Sequence, residues 1–303
     1  MNVFIQGMRR SGTTILYDAL LADPELRCFY EPLREQDVTE GGGSGAREGD
    51  AFAETRELRE RFQRERFPDI PVEEFNWGGP RKPPLEIDPH LPEHCRELLR
   101  WLLEQAPAVM IKETRLYRKV GDVAELDPDA VFVHVVRDPR AVAASIILGR
   151  KKRRLQRWSS PGEIFNERTD RKLWSSRAIS TAMAAADGTD ASGFSDVEHI
   201  LRVWKLSLES AYEEGRRLYG DRYLLLRNED LRESTEAAIE SVYRVLGREA
   251  PSDVREWARA KVREPEAVLA GDDPRWGELL ANLELGPSLE AAGYADLAGT
   301  LTA

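Results

Sequence analysis

The chain has 303 residues but only two cysteines, Cys28 and Cys95, and their spacing suits neither a disulfide framework nor a metal-ligand pair. Its core must therefore hold it together, and a reduced, cytoplasmic setting is expected. Basic residues do not prevail either: 44 Lys and Arg against 54 Asp and Glu leave a formal net charge of −10. That balance argues against general affinity for nucleic acid or anionic membrane. No apolar run approaches the ~20 residues of a membrane span, and the N-terminal apolar stretch is too short for a signal sequence. Histidine is scarce, with four residues, and no compact Asp/Glu/His cluster asks for a metal. No bound metal is expected.

The most informative absence is a single lysine. The stretch VFIQGMRRSGTTILYDALL (3 to 21) reads strand, loop, helix, with Gly7 and Gly12 at the spacing of G-x-x-x-x-G-K-[ST]. Thr13 stands where that phosphate-binding motif has the lysine that reaches the β- and γ-phosphates. What remains still suits an anion. Backbone amides of residues 10 to 14 open a helix, Ser11, Thr13 and Thr14 add hydroxyls, and Arg9 and Arg10 add charge. The bland alternative, an ordinary strand-turn-helix corner, leaves two arginines beside three hydroxyls unexplained.

Apolar runs at 2–6, 108–112, 130–136 and 222–227 read as buried strands, and the apolar residues before Glu31 suggest a further strand end. Periodic segments at 92–105, 196–219 and 233–247 read as helices. The alternation implies an α/β fold with a parallel sheet of phosphate-loop type covered by helices on both faces, and ligands gathering beyond the carboxyl ends of the strands. Residues 37–50 (Gly-rich), 68–92 (Pro-rich) and 149–195 interrupt the pattern. They read as irregular insertions, with 37–92 and 149–195 expected to serve as substrate loops or a lid on one domain, residues 1–303.

A second anion site is readable in HVVRDPRAVAASIILGRK (134 to 151). Arg137 ends a strand, Asp138 suits an N-cap, Pro139 suits the first helical turn, and Ser145 returns to a similar face two turns later. Arg137 and Ser145 could hold one phosphate, against the alternative of a capped helix with a surface arginine.

Together these stretches resemble the sulfotransferases that use 3′-phosphoadenosine 5′-phosphosulfate (PAPS). That family's 5′-phosphosulfate loop often reads G-x-P-R-S-G-T-T, here GMRRSGTT with Arg9 in place of the proline. Its 3′-phosphate motif, an arginine followed eight residues later by a serine, is matched by Arg137 and Ser145. LLRNEDL (225 to 231) is similar to its R-Y-E-D-L segment, with Asn228 at the tyrosine, and PRWGELL (274 to 280) and AAGYADL (291 to 297) to its C-terminal pattern. The resemblance implies PAPS as donor, adenosine 3′,5′-bisphosphate as product, no metal, and donor contacts from Arg9, Arg10, Ser11, Gly12, Thr13, Thr14, Arg137 and Ser145. Arg275, before Trp276, is implied near the 3′-phosphate, with Arg150 and Lys151 as further candidates. A donor without a γ-phosphate also makes the missing lysine understandable.

Aryl and steroid members of that family take the acceptor proton with a histidine in K-x-H. Here MIKETRL (110 to 116) has Lys112 followed by Glu113 and Thr114, and His134 lies inside an apolar strand as a core residue. Carbohydrate- and tyrosylprotein-directed members instead place a glutamate after the first helix, often before proline. RCFYEPLRE (27 to 35) offers Glu31 before Pro32, with Glu35 and Glu113 as reserves, and a plain surface glutamate as the bland alternative. Glu31 is the expected general base; Lys112 and Arg10 are expected to balance transition-state charge. Arg115 could touch the acceptor, while Trp204 is expected in the core rather than on adenine. The acceptor would be a small-molecule or glycan hydroxyl, with a peptide also open; oligomeric state is unreadable. Two alternatives stand beside this reading: a phosphate-loop kinase or NTPase, and a catalytically silent nucleotide-binding module of the same fold.

Overall fold

Side-chain alternation along the central strands builds both faces of the fold in the computed structural model. The structure describes residues 1–33, 47–69, 83–148, 164–165, 174–264, 268 and 271–299. Five strands form one parallel sheet: β1 (Val3–Gln6), β2 (Arg27–Tyr30), β3 (Val109–Glu113), β4 (Val131–Val136) and β5 (Tyr223–Arg227), in the order β2-β3-β1-β4-β5. Val3, Ile5, Met110, Val131, Val133 and Val135 share one core with the helices Thr13–Leu20, Thr235–Val245 and Ser252–Lys261. Phe4, Val109, Ile111 and Phe132 share the opposite one with the helices Glu93–Leu103, Val120–Leu126 and Asp196–Tyr219. Strands buried on both faces read as continuous apolar runs, which is why four of them were legible. A third core joins Asp196–Tyr219 to the helix Pro139–Leu148 and the C-terminal helices Arg275–Asn282 and Gly286–Ala291. No described helix is long and apolar enough to cross a membrane.

The helix expected at 196–219 is found at those residues. Ser195 and Glu198 close a capping box there: the Ser195 hydroxyl accepts from Glu198 N at 3.2 Å, and Ser195 N donates to Glu198 Oε2 at 2.6 Å. The helix expected at 233–247 is found as Thr235–Val245, and a short helix, Asn228–Glu233, precedes it, parted from it at Ser234 with φ −129° and ψ 52°. Serine competes for backbone partners and suits such a break.

The expected irregular insertions are partly helical. Of 37–50, residues 37–46 lie outside the described part, and 47–50 open the helix Arg47–Arg66 rather than a loop. That segment is rich in good helix formers, and Phe62 anchors it with its ring 5.5 Å from that of Trp101. Within 68–92 a short helix spans Pro83–Ile87, and within 149–195 another spans Trp174–Ala186. Arg150, Lys151 and Glu35 lie outside the described residues.

In chain order β2 and β3 fill one side of β1, and β4 and β5 the other. The carboxyl ends of β1, β3 and β4 therefore meet where the two halves diverge, the crevice in which open parallel sheets bind ligands.

Candidate active site

The first loop leaves β1 at Gly7, where a Cβ would stand 2.3 Å from the Val135 carbonyl oxygen. It enters the helix Thr13–Leu20 through Gly12, left-handed at φ 94° and ψ 14°. Gly12 gives no side-chain cap, and no acidic residue lies in the first turn, so the positive helix end is left uncompensated by any carboxylate of its own turn. A Cβ at Gly12 would meet Asn228 Nδ2 at 1.9 Å, which shows how closely that amide packs on the loop. Asn228 is buried; its Oδ1 accepts from Arg232 Nε at 3.0 Å, while its Nδ2 has no hydrogen-bond partner among the described residues. An uncompensated helix end beside an orphaned amide donor is a setting that fits a phosphate. Of the three loop hydroxyl residues, Ser11 and Thr13 are buried and Thr14 is exposed.

Arg10 holds φ 84°, unusual for a residue with a Cβ. Its Nε donates to Ser145 Oγ at 2.9 Å, and its carbonyl accepts from Arg137 Nη1 at 3.3 Å. Three residues that the sequence assigned to two separate stretches thus meet in one place. Ser145 is carried there by the helix Pro139–Leu148, which Asp138 caps as expected: its Oδ1 accepts from Arg140 N at 2.8 Å.

Glu31 follows β2 directly. Its N–H donates to the Lys112 carbonyl at 2.7 Å, prolonging the β2–β3 ladder, and its φ is 45°. Lys112 is fully buried rather than a surface charge, and its Nζ donates to Glu31 Oε1. The same Nζ lies 4.2 Å from the centre of the Tyr30 ring, whose hydroxyl stands 3.1 Å from Thr14 Oγ1. Tyr30 therefore joins the loop to the ion pair, a role that nothing in its sequence neighbourhood signals. Two non-glycine residues with left-handed backbone, Arg10 and Glu31, belong to this group.

The neighbouring Glu113 points to the other face of β3. Its Oε1 accepts from Leu33 N at 2.6 Å, and burial, then Glu31, pushes its carboxyl up to about 7. Arg9 is half-buried; desolvation, then Arg115 and Arg10, lowers it to about 10. Arg115 donates to Glu86 Oε2 at 3.2 Å, and Tyr117 Oη to Glu86 Oε1 at 2.7 Å. Burial raises the Glu86 carboxyl despite these cations.

Arg275 is held by Asp273, Nη2 to Oδ2 at 2.8 Å, and its guanidinium lies 4.3 Å from the Phe165 ring centre. His134 is the core residue expected: buried, 2.9 Å from Tyr223 Oη, and lowered to about 3 by desolvation. Trp204 is likewise in the core, and its Nε1 donates to the Arg137 carbonyl at 2.9 Å.

The profile of the sulfotransferase family matches residues 2–198, the segment that contains both phosphate-type loops and the Glu31–Lys112 pair. The chain belongs to the sulfotransferase family. A protein-tyrosine sulfotransferase of Drosophila melanogaster is 25% identical over 175 residues, 54% of this chain and 31% of its own length. The chain thus spans about a third of that relative. Among solved structures, sulfotransferase STF9 of Mycobacterium avium superposes with a TM-score of 0.55 over 97% of this chain and 76% of its own, at 14% identity. That likeness is one of fold, and it agrees with the parallel α/β sheet described above.

Proposed function

We propose that this sulfotransferase-family chain moves a sulfuryl group from PAPS to an acceptor hydroxyl, with Glu31 as general base. The observation that carries the reading is the meeting of Arg10, Arg137 and Ser145 at the rim that also presents the Glu31–Lys112 pair. PAPS supplies the sulfuryl group and is converted to adenosine 3′,5′-bisphosphate. The uncapped helix start at Thr13, with Arg10 and Thr14, holds the 5′ end of the donor. Arg137 and Ser145 hold the 3′-phosphate, and Arg275 adds positive charge nearby. Arg9, Ser11, Gly12 and Thr13 complete the loop.

Glu31 receives the proton of the attacking hydroxyl. Lys112, steadied between that carboxylate and the Tyr30 ring, offsets charge that develops on the departing phosphate, as does Arg10. The acceptor is an alcohol or phenol, within the classes of sugar, glycolipid, natural product or peptide.

Calorimetric titration with adenosine 3′,5′-bisphosphate, AMP, ADP and ATP tests the reading. Metal-independent binding at least ~10-fold tighter when the 3′-phosphate is present (about 1.4 kcal/mol) is expected, with that preference lost in Arg137→Ala. Tighter, Mg²⁺-dependent binding of ATP would instead make the chain a phosphate-loop kinase or NTPase. Sulfuryl transfer in the wild type that fails in Glu31→Gln with nucleotide binding intact separates a catalyst from a silent binder.

A further inference from the structure

The turn between β4 and the helix Pro139–Leu148 is one peptide group long in its essentials. The carbonyl of Arg137 and the N–H of Asp138 are the two ends of the same peptide. Each end is taken by a distant side chain: Trp204 Nε1 donates to the Arg137 carbonyl at 2.9 Å, and Asp138 N donates to Glu229 Oε1 at 3.1 Å. Trp204 comes from the helix Asp196–Tyr219 and Glu229 from Asn228–Glu233. The second Glu229 oxygen, Oε2, accepts from Tyr294 Oη at 2.7 Å, which ties the carboxylate to the C-terminal segment. Trp204 is 2% exposed, so water does not compete for its donor.

We infer that Trp204 and Glu229 are positioning residues that fix the Arg137–Asp138 peptide and, through it, the geometry between the Arg137 guanidinium and the Ser145 hydroxyl. The inference rests on the proposed function, in which those two groups receive the 3′-phosphate. The physical link is direct. Arg137 belongs to the end of the strand and Ser145 to the helix that follows, so the torsions flanking this one peptide set how one stands to the other. The Asp138 side chain is turned to the helix start, where Oδ1 and Oδ2 accept from the Arg140 backbone and guanidinium, and so makes no contact with the Arg137 carbonyl or the Asp138 N–H. Among the described residues the Arg137 guanidinium reaches the Arg10 carbonyl alone, at 3.3 Å, a long bond that leaves the aim of its side chain to the backbone. With the indole donor removed, the Arg137 carbonyl loses its buried partner and the peptide can turn.

The test measures, by calorimetry on the full chain, the ratio of affinities for adenosine 3′,5′-bisphosphate and AMP. Trp204→Phe keeps an aromatic ring, smaller than the indole, and removes the donor. Glu229→Ala removes the acceptor for Asp138 N, whereas Glu229→Gln retains an oxygen for it and can still meet the Tyr294 hydroxyl. Trp204→Phe and Glu229→Ala are expected to lower the ratio at least ~5-fold with AMP affinity within about twofold of wild type, and Glu229→Gln to restore it. A ratio unchanged in both, or a parallel loss of both ligands, overturns the inference, because a purely structural role would act on the two ligands alike. The wild-type ratio separates the two levels: no preference for the 3′-phosphate in the unmodified protein overturns the functional reading and this inference with it, whereas a wild-type preference that both variants keep overturns the inference alone.

Discussion

The Arg10 guanidinium donates to the Ser145 hydroxyl at 2.9 Å, across 135 residues of sequence. One residue belongs to the loop after β1 and the other to the helix after β4, so the contact makes a single cationic patch of two stretches that look independent in the chain. Groups in direct contact do not act additively. Arg10→Ala and Ser145→Ala, alone and combined, are expected to give an interaction energy of at least ~0.5 kcal/mol for binding of adenosine 3′,5′-bisphosphate by calorimetry. Strict additivity would show that the two residues meet the ligand separately.

The Glu31–Lys112 pair carries a different expectation, because one member is fully buried. Glu31→Gln removes the proposed base and is expected to lower kcat by ~10²–10⁴ while nucleotide affinity stays within about twofold. It also leaves the Lys112 ammonium without its carboxylate, and breaking a buried pair on one side destabilises by about 3–5 kcal/mol. The Tyr30 ring, 4.2 Å away, reduces that loss. Replacing both residues, Glu31→Gln with Lys112→Met, should recover most of the stability in urea unfolding but none of the activity. A single variant as inactive as the double yet as stable as wild type would contradict the buried-pair account.

How far these features were legible depends on whether their cause was local. The strand runs, the helix at 196–219 and the Asp138–Pro139 helix start all have their physics within a few residues, and each stands where the pattern put it. The helix Arg47–Arg66 was not anticipated, because its fixing contact, Phe62 on Trp101, lies far along the chain and a Gly-rich stretch precedes it. The fully buried state of Lys112 could not be read either, since a lysine ending an apolar strand looks the same whether it meets water or a carboxylate. Tyr30, Asn228 and the Trp204 indole act entirely through partners that the fold supplies, Lys112, Gly12 and Arg137.

Tyr30 touches both halves of the site, and its ring and hydroxyl can be separated. Tyr30→Phe keeps the face over Lys112 and loses the 3.1 Å contact with Thr14, so a loss below ~5-fold in kcat is expected, in line with one exposed neutral hydrogen bond. Tyr30→Leu removes the π-face, worth about 0.5–2 kcal/mol to a cation, and should cut kcat by up to ~30-fold with little change in nucleotide affinity. Equal effects from the two variants would place the function in the hydroxyl instead.

Gly12 is required for two reasons, and they can be told apart. Its φ of 94° strains any residue with a Cβ, and that Cβ would also meet Asn228 Nδ2 at 1.9 Å. Gly12→Ala is expected to weaken nucleotide binding at least ~10-fold and to destabilise by more than about 1 kcal/mol, through strain and collision together. Adding Asn228→Ala relieves the collision only, so the double variant should regain part of the stability in a thermal melt. No recovery at all would mean that the backbone conformation alone dictates glycine.

Glu113 supplies the pH-dependent expectation. Its carboxyl is raised from 4.5 to about 7 by burial and then by Glu31, so the folded protein binds that proton more tightly than the unfolded chain does. The stabilisation from the neutral form is complete below the unfolded value and is lost as pH rises through about 7. The difference amounts to as much as about 3 kcal/mol. His134 acts in the opposite sense: lowered from 6.5 to about 3 by desolvation, it contributes stability above 6.5 that is lost on acidification. The wild-type profile therefore mixes the two groups, and a substitution is needed to isolate one. Glu113→Gln keeps an oxygen for the Leu33 N–H and removes the ionisation. Relative to wild type, its melting temperature should climb between pH 5 and pH 8, where the wild-type carboxyl is forced to ionise in the core. A difference between the two proteins that is flat over that range would mean that Glu113 titrates at its ordinary value and that its burial is relieved by water.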